Sequence, residues 1–198
     1  MTDQKFYIET GDPPAKQRIL EEALRLFATR GLASTSIRDI ASASGYTNPA
    51  LYKHFKTKEA LASALFERCY REQLARVNTA LQGHEGFADR FHAFLVAFAR
   101  MFDDHPHAVI FTSDALATLW PKMPEDLRSR TMITVTRELL QLGRRERLVA
   151  KDADLSLQIN LVVGMLSQLT RQLYLGAAKG PASSLVKETE RILRAGLT

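Results

Sequence analysis

Between Thr47 and Lys58 the chain reads "TNPALYKHFKTK". The side chains in it are suited to binding rather than to catalysis. The Asn48 amide presents a donor and an acceptor side by side, the pairing that matches an adenine edge. Tyr52, Lys53 and His54 add a phenol, a cation and an imidazole, groups that meet phosphates and bases. Catalytic arrangements are absent from the sequence: there is no serine-histidine-acid elbow, no phosphate-cradling glycine loop and no HExxH. An enzyme reading therefore has no residue to rest on, and no cofactor is implied. His54 has no neighbour at metal-ligand spacing. His105 and His107, which flank Pro106, read as solvated or capping groups, so no metal site is expected. The single cysteine, Cys69, rules out an internal disulfide, as suits a reducing cytosol. It shares a helical stripe with Leu65 and Phe66, so a buried thiol is expected.

The charge distribution points the same way. The chain has 198 residues and a formal net charge of +5. Between Lys16 and Lys58 eight basic residues face three acidic ones, which accounts for the whole excess; the remainder is neutral. An anionic partner would meet this quarter first. The opening "MTDQKFYIETGDPP" has no apolar core of a secretory signal, and no apolar run is long enough to span a membrane. A cytoplasmic protein is expected.

The elements that must position these groups read as helices throughout, giving an all-α fold. Asp12 before Pro13 and Pro14 is an expected N-cap. Ile19, Leu20, Ala23, Leu24, Leu26 and Phe27 then recur at helical spacing until Gly31. Thr35 or Ser36 caps a second, short helix that ends at Gly45. Thr47 or Asn48 caps a third, with Pro49 in its first turn. Leu51 and Phe55 form its inner face, against Ile37, Ile40 and Ala41. That leaves Asn48, Pro49, Tyr52, Lys53 and His54 turned outward. Two short helices joined by a glycine turn make a helix-turn-helix, here at about 36–55, whose second helix fits the major groove. Thr57 caps a long following helix, and Gly83 and Gly86 mark a seam. Further helices are expected near 106–118, 124–147, 152–178 and 183–196.

At this point the sequence resembles the tetracycline-repressor (TetR) family of bacterial transcription regulators. The residues that carry the resemblance are "A-x-x-L-F-x-x-x-G", "T-S-I-R-D-I-A", "G-Y-T", "A-L-Y-K-H-F" and "K-x-A-L", in this order between Ala15 and about Phe66. The resemblance implies that Thr47, Asn48, Pro49 and Ala50 meet base edges. By the same carry-over Tyr52, Lys53 and His54 meet bases and phosphates, Lys58 grips the backbone, and Ser36 and Arg38 contribute from the supporting helix. Asn48 stands where a Lys or Arg is common, and Tyr46 where a smaller apolar residue is common. Both differences bear on the operator sequence rather than on the mode of binding.

The implied organisation is a DNA-binding domain at 13–73 and a helical ligand-binding and dimerisation domain at 74–198. In the latter, "FADRFHAFLVAFARMF" places Phe87, Phe91, Phe94, Phe98 and Phe102 on one stripe, first of all a core face. In a chain of this kind part of such a face lines a ligand pocket, and the candidates are Phe94, Phe98, Met101, Phe102, Phe111, Trp120, Met132, Met165 and Gln168. Asn160, Gly164, Ser167 and Arg171 fall on one face of a helix that is apolar nearly all round. That face points either into a cavity or across a dimer axis. The resemblance implies a two-fold homodimer, here through the helices at about 152–178 and 183–196, bound to double-stranded palindromic operator DNA. The expected function is a one-component repressor released by a small apolar or amphipathic effector. The alternatives are a ligand-independent factor with the same head, or an all-helical ligand-binding or enzymatic protein with no DNA role.

Overall fold

The computed structural model describes residues 5–198, and every regular element among them is helical. Residues 1–4, part of the opening stretch in which no signal is expected, lie outside the described residues. The described residues fall into two compact units.

The first unit takes in the described residues up to Glu72 together with His107–Leu127. Helix α1 (Pro14–Arg30) starts at its two prolines, but Asp12 does not cap it; Pro13 holds the N-cap position. The Asp12 carboxylate instead pairs with Lys16 at 2.7 Å and Arg68 at 3.1 Å, and accepts the Glu9 N–H at 3.0 Å. Two nearby cations and a backbone donor outbid helix N–H groups that prolines had already reduced. Gly31 ends α1 at φ 84°. Helices α2 (Ile37–Ser44) and α3 (Asn48–His54) follow and pack on α1 and on each other. Helix α4 (Lys58–Leu81) opens on Thr57, whose hydroxyl accepts the Ala60 N–H at 3.0 Å. Ile19, Leu20, Phe27, Ile40, Leu51 and Phe66 are wholly buried.

Helix α6 (Pro106–Leu119) and the 3-10 turn Trp120–Lys122 complete this core. Phe111 stacks on Phe27 with ring centroids 5.4 Å apart, and Phe66 meets Phe111 and Trp120 edge-on. Such aromatic contacts add to the burial of large apolar area. Helix α7 (Glu125–Ser129) is tied to α4 by Asp126, whose carboxylate accepts from Arg71 at 2.7 Å.

The second unit comprises Gln73–Pro106 and Arg128–Thr198. Its helix α5 (Phe87–Asp104) buries Phe87, Phe91 and Phe94, with Phe87 and Phe91 stacked at 5.1 Å. Helix α8 (Met132–Arg145) packs against α5, and Glu146 beyond its end accepts the Phe87 N–H at 2.9 Å. The expected single helix over 124–147 is broken between α7 and α8. Thr131 forms a capping box with Thr134, giving α8 its own start, and a capped β-region residue cannot also continue a helix. Helix α9 (Leu155–Tyr174) is capped by Asp154, and α10 (Val186–Leu197) follows a short 3-10 turn, Ala182–Leu185. The Gln158 amide is buried in this layer. It accepts from Arg144 at 2.8 Å and donates to the Ala150 carbonyl at 3.1 Å. Among the described residues, no helix is long and apolar enough to cross a membrane.

Candidate nucleic-acid interface

Local chemistry fixes each part of the surface around α3. At the start of α2, Ser36 is the cap rather than Thr35. Its hydroxyl accepts the Asp39 N–H at 3.1 Å, and its own N–H donates to the Asp39 carboxylate at 2.8 Å. The Ser36 hydroxyl and N–H hold the Asp39 carboxyl below its ordinary range, against a small opposing effect of burial. Thr35 turns inward, donating to the Gly31 carbonyl at 2.9 Å. Gly45 then takes a left-handed conformation at φ 77°, which a side chain would resist, and its N–H closes onto Ala41 and Ser42. Thr47 caps α3, its hydroxyl accepting the Ala50 N–H at 3.4 Å, and Pro49 sits in the first turn.

Helix α3 is anchored from below. Leu51 is fully buried and Phe55 nearly so, with the Lys16 ammonium 5.8 Å above the Phe55 ring. Thr47, Asn48, Pro49, Tyr52 and Lys53 are exposed, and Ala50 and His54 are half-buried. Among the described residues, the side chains of Arg38, Asn48, Tyr52, Lys53 and His54 make no hydrogen bond or ion pair. Ser36 and Arg38 are exposed at the start of α2. Lys58 is half-buried at the start of α4, and its ammonium donates to the Leu32 carbonyl at 3.0 Å. A lysine has three donors, so two stay available.

Sequence reasoning missed two groups that shape this surface. Lys16 braces α3 through Phe55, and the Leu32 carbonyl ties the turn after α1 to Lys58. Both contacts join residues far apart in the chain, and helical periodicity carries no trace of them. Tyr46 is, beside Tyr52, a second exposed aromatic on the same segment. Its signal was legible, a bulky ring placed just after a left-handed glycine.

The nine pocket candidates are divided between the two units. Phe111 and Trp120 belong to the core of the first unit, against Phe27 and Tyr70. Phe94, Met101 and Phe102 are buried in the second unit. Phe98, Met132 and Met165 are half-buried, and Gln168 is exposed on α9. Asn160 and Gly164 are exposed on the same helix. Cys69 is buried, and burial drives its thiol pKa far upward. Among the described residues, no group of three or more His, Cys, Asp or Glu is placed to hold a metal ion.

A capped supporting helix, a left-handed glycine and a capped, outward-facing second helix define a three-helix head of the helix-turn-helix class. Residues 19–65 match the family model described as bacterial regulatory proteins, tetR family. This N-terminal region is thus similar to the tetR family, and the match covers about a quarter of the chain. The HTH-type transcriptional regulator AcrR of Shigella flexneri is 50% identical over 52 residues, 26% of this chain and 24% of that protein. The HTH-type transcriptional repressor KstR2 of Mycolicibacterium smegmatis is 32% identical over 117 residues, 54% of each chain. The chain thus spans about half or less of the length of these curated relatives. The fold extends further. The structure of the ketosteroid transcriptional regulator KstR2 of Mycobacterium tuberculosis superposes with a TM-score of 0.80, covering 98% of this chain and 99% of that one at 22% identity.

Proposed function

We propose that the protein is a DNA-binding transcriptional regulator, a repressor that leaves its operator when a small molecule binds. The observation that carries this reading is α3. It is a short helix capped by Thr47 and packed on α1 and α2, yet Asn48, Tyr52 and Lys53 are exposed with no partner among the described residues. Ordering these exposed side chains on a ligand costs side-chain entropy. A ligand that uses all of them together, such as the edge and backbone of a duplex, repays that cost. In this reading residues 13–73 are the DNA-binding domain. Asn48 and its neighbours Thr47, Pro49 and Ala50 read bases, while Tyr52, Lys53, His54, Lys58, Ser36 and Arg38 hold phosphates or flanking bases. Residues 74–198 bind the effector and dimerise.

Dimerisation is assigned to the outer face of α9 and α10. Leu157, Leu161 and Ile192 are exposed there, with Leu175 just past the end of α9, and Gly164 lies among them. Leu157 is 69% exposed and Leu175 72%, and large apolar side chains left in solvent on neighbouring helices suit a protein contact. A two-fold dimer would present two α3 helices to a palindrome. Helix α4 is one uninterrupted helix with residues in both compact units. An effector that prefers one of two states of the second unit would thereby alter the spacing of the heads. Typical couplings of this kind are about 1–3 kcal/mol.

The test is selection of bound duplexes from random sequence, followed by gel shifts over a salt series. The expected product is a palindrome with two half-sites. Asn48→Ala is expected to relax the preference at one base pair of each half-site, by about 1–3 kcal/mol, while leaving nonspecific affinity unchanged. Absence of any sequence-specific shift, even at low salt, sinks the regulator reading. Equal weakening of specific and nonspecific binding by Asn48→Ala removes Asn48 from the base-reading set.

A further inference from the structure

The second unit contains a cleft of about 390 Å³ that none of the sequence candidates line. The end of α4 contributes Asn78 and Leu81, α5 contributes Arg90, and α8 contributes Leu139 and Arg145, with Arg130 just ahead of α8. This volume lies within the usual range for small-molecule sites. Its floor is apolar, since Leu81, Val135 and Leu139 are buried. Its charge is one-sided, with three arginines facing the single carboxylate of Glu138.

The three arginines differ in what they have already bound. Arg130 is engaged, donating to Glu138 at 3.2 Å and to the Asn78 amide oxygen at 3.0 Å. That pairing also neutralises the one carboxylate that would repel an incoming anion. Arg145 is exposed and forms no ion pair among the described residues. Arg90 is the informative one. Its Nε is buried and has no acceptor. A buried, unsatisfied Nε on a half-buried arginine is costly, and it persists where some other group supplies the acceptor.

We propose that this cleft binds an organic anion with an apolar tail. The anionic head, a carboxylate or a phosphate, pairs with Arg90 and Arg145, and the tail lies over Leu81, Val135, Leu139 and Leu142. Guanidinium groups suit either head because their planar fork matches two oxygens at once. The assignment of this anion as the effector rests on the regulator reading above; its binding to the cleft does not.

The experiment is calorimetric titration of the full chain with octanoate, octyl phosphate and octanol, three probes that share one tail. At least one anion is expected to bind, with octanol at least tenfold weaker. The preferred anion identifies the head as carboxylate or phosphate. Arg90→Gln is expected to reduce affinity for that anion at least fivefold and to leave octanol unchanged. Arg145→Gln repeats the measurement at an exposed site where folding is not at risk. Equal affinity for octanol and both anions overturns the proposal, because the Arg90 donor is then satisfied by water alone. Unchanged anion affinity in both variants also overturns it. Adding the tighter anion to the protein–operator complex tests the effector role separately. Release supports it, and binding without release removes the effector role. A chain that binds the anion but no DNA leaves the cleft standing and the regulator reading refuted.

Discussion

Lys58 carries two demands on one ammonium. Its bond to the Leu32 carbonyl fixes the turn after α1, while its place at the start of α4 suits a phosphate. Replacing it therefore has two signatures that can be measured apart. Lys58→Ala is expected to weaken binding to all DNA sequences and to flatten the salt dependence by about one unit of slope. It is also expected to lower folding stability by about 1 kcal/mol, the usual net worth of one hydrogen bond. Stability loss with an unchanged salt slope would leave only the structural role. Asp12 makes a second argument at this scale. Burial alone would raise its carboxyl pKa, but hydrogen bonds from Lys16, the Glu9 N–H and Arg68 outweigh that, and the net shift is downward. The folded state thus binds this proton less readily than the unfolded chain does. The stability it contributes is complete above the ordinary carboxylate range and is lost as pH falls through the depressed value. Asp12→Asn should cost about 1.5–3 kcal/mol at neutral pH, the range for hydrogen bonds to a charged group. The difference from wild type should vanish in denaturation curves taken at progressively lower pH. A difference independent of pH would show that shape, not charge, is what Asp12 supplies.

At the scale of the elements, α8 holds a glycine with no room for a side chain. Gly143 is buried there, and a Cβ at this position would lie 2.6 Å from a Val149 methyl carbon and 2.9 Å from the Phe87 ring. Alanine would gain up to about 1 kcal/mol in helix propensity, but overpacking a filled core costs about 1–3 kcal/mol. Phe87 is itself held by its stack on Phe91 and by the Arg194 guanidinium 5.6 Å above its ring. The clash is therefore expected to win, and Gly143→Ala should lower the melting temperature. A rise would mean that Phe87 can move aside. Glycine in a helix reads from sequence only as a weakness, so this close packing was invisible there. The same limit explains the break at Thr131. Apolar spacing over 124–147 fits one helix, and only a capping box between two threonines shows where the chain restarts. By contrast, α1 to α4 were legible because each carries its own local stop or start: Gly31, Ser36, Gly45, Thr47 and Thr57. Asp12 was misread for want of a distant partner, since Arg68 lies in another helix. The outward face of α3 was legible for the same local reasons. The arginines of the cleft were not, because Arg90, Arg130 and Arg145 converge from separate elements and no spacing rule joins them.

At the scale of the whole molecule, the proposed dimer places its demand on α9 and α10. The outer faces of α9 and α10 leave Leu157, Leu161 and Ile192 in solvent, and burying a leucine or isoleucine is worth about 1.5–3 kcal/mol each. Gly164 offers a clean probe of that face. It is exposed, and a Cβ added there would meet nothing within 4 Å. Arginine in its place fits the single chain without strain and favours the helix by about 0.8–1 kcal/mol relative to glycine. A charged side chain would nevertheless hold a second copy away from this face. Gly164→Arg is therefore expected to keep or raise the melting temperature of the isolated chain. In light scattering its mass should fall from that of two chains to that of one. Operator affinity should fall with it, because a monomer engages one half-site and loses the linked second contact, while half-site binding persists through α3. An unchanged mass would place the interface elsewhere. A monomer that still bound the full palindrome as tightly would refute the link between dimerisation and DNA reading.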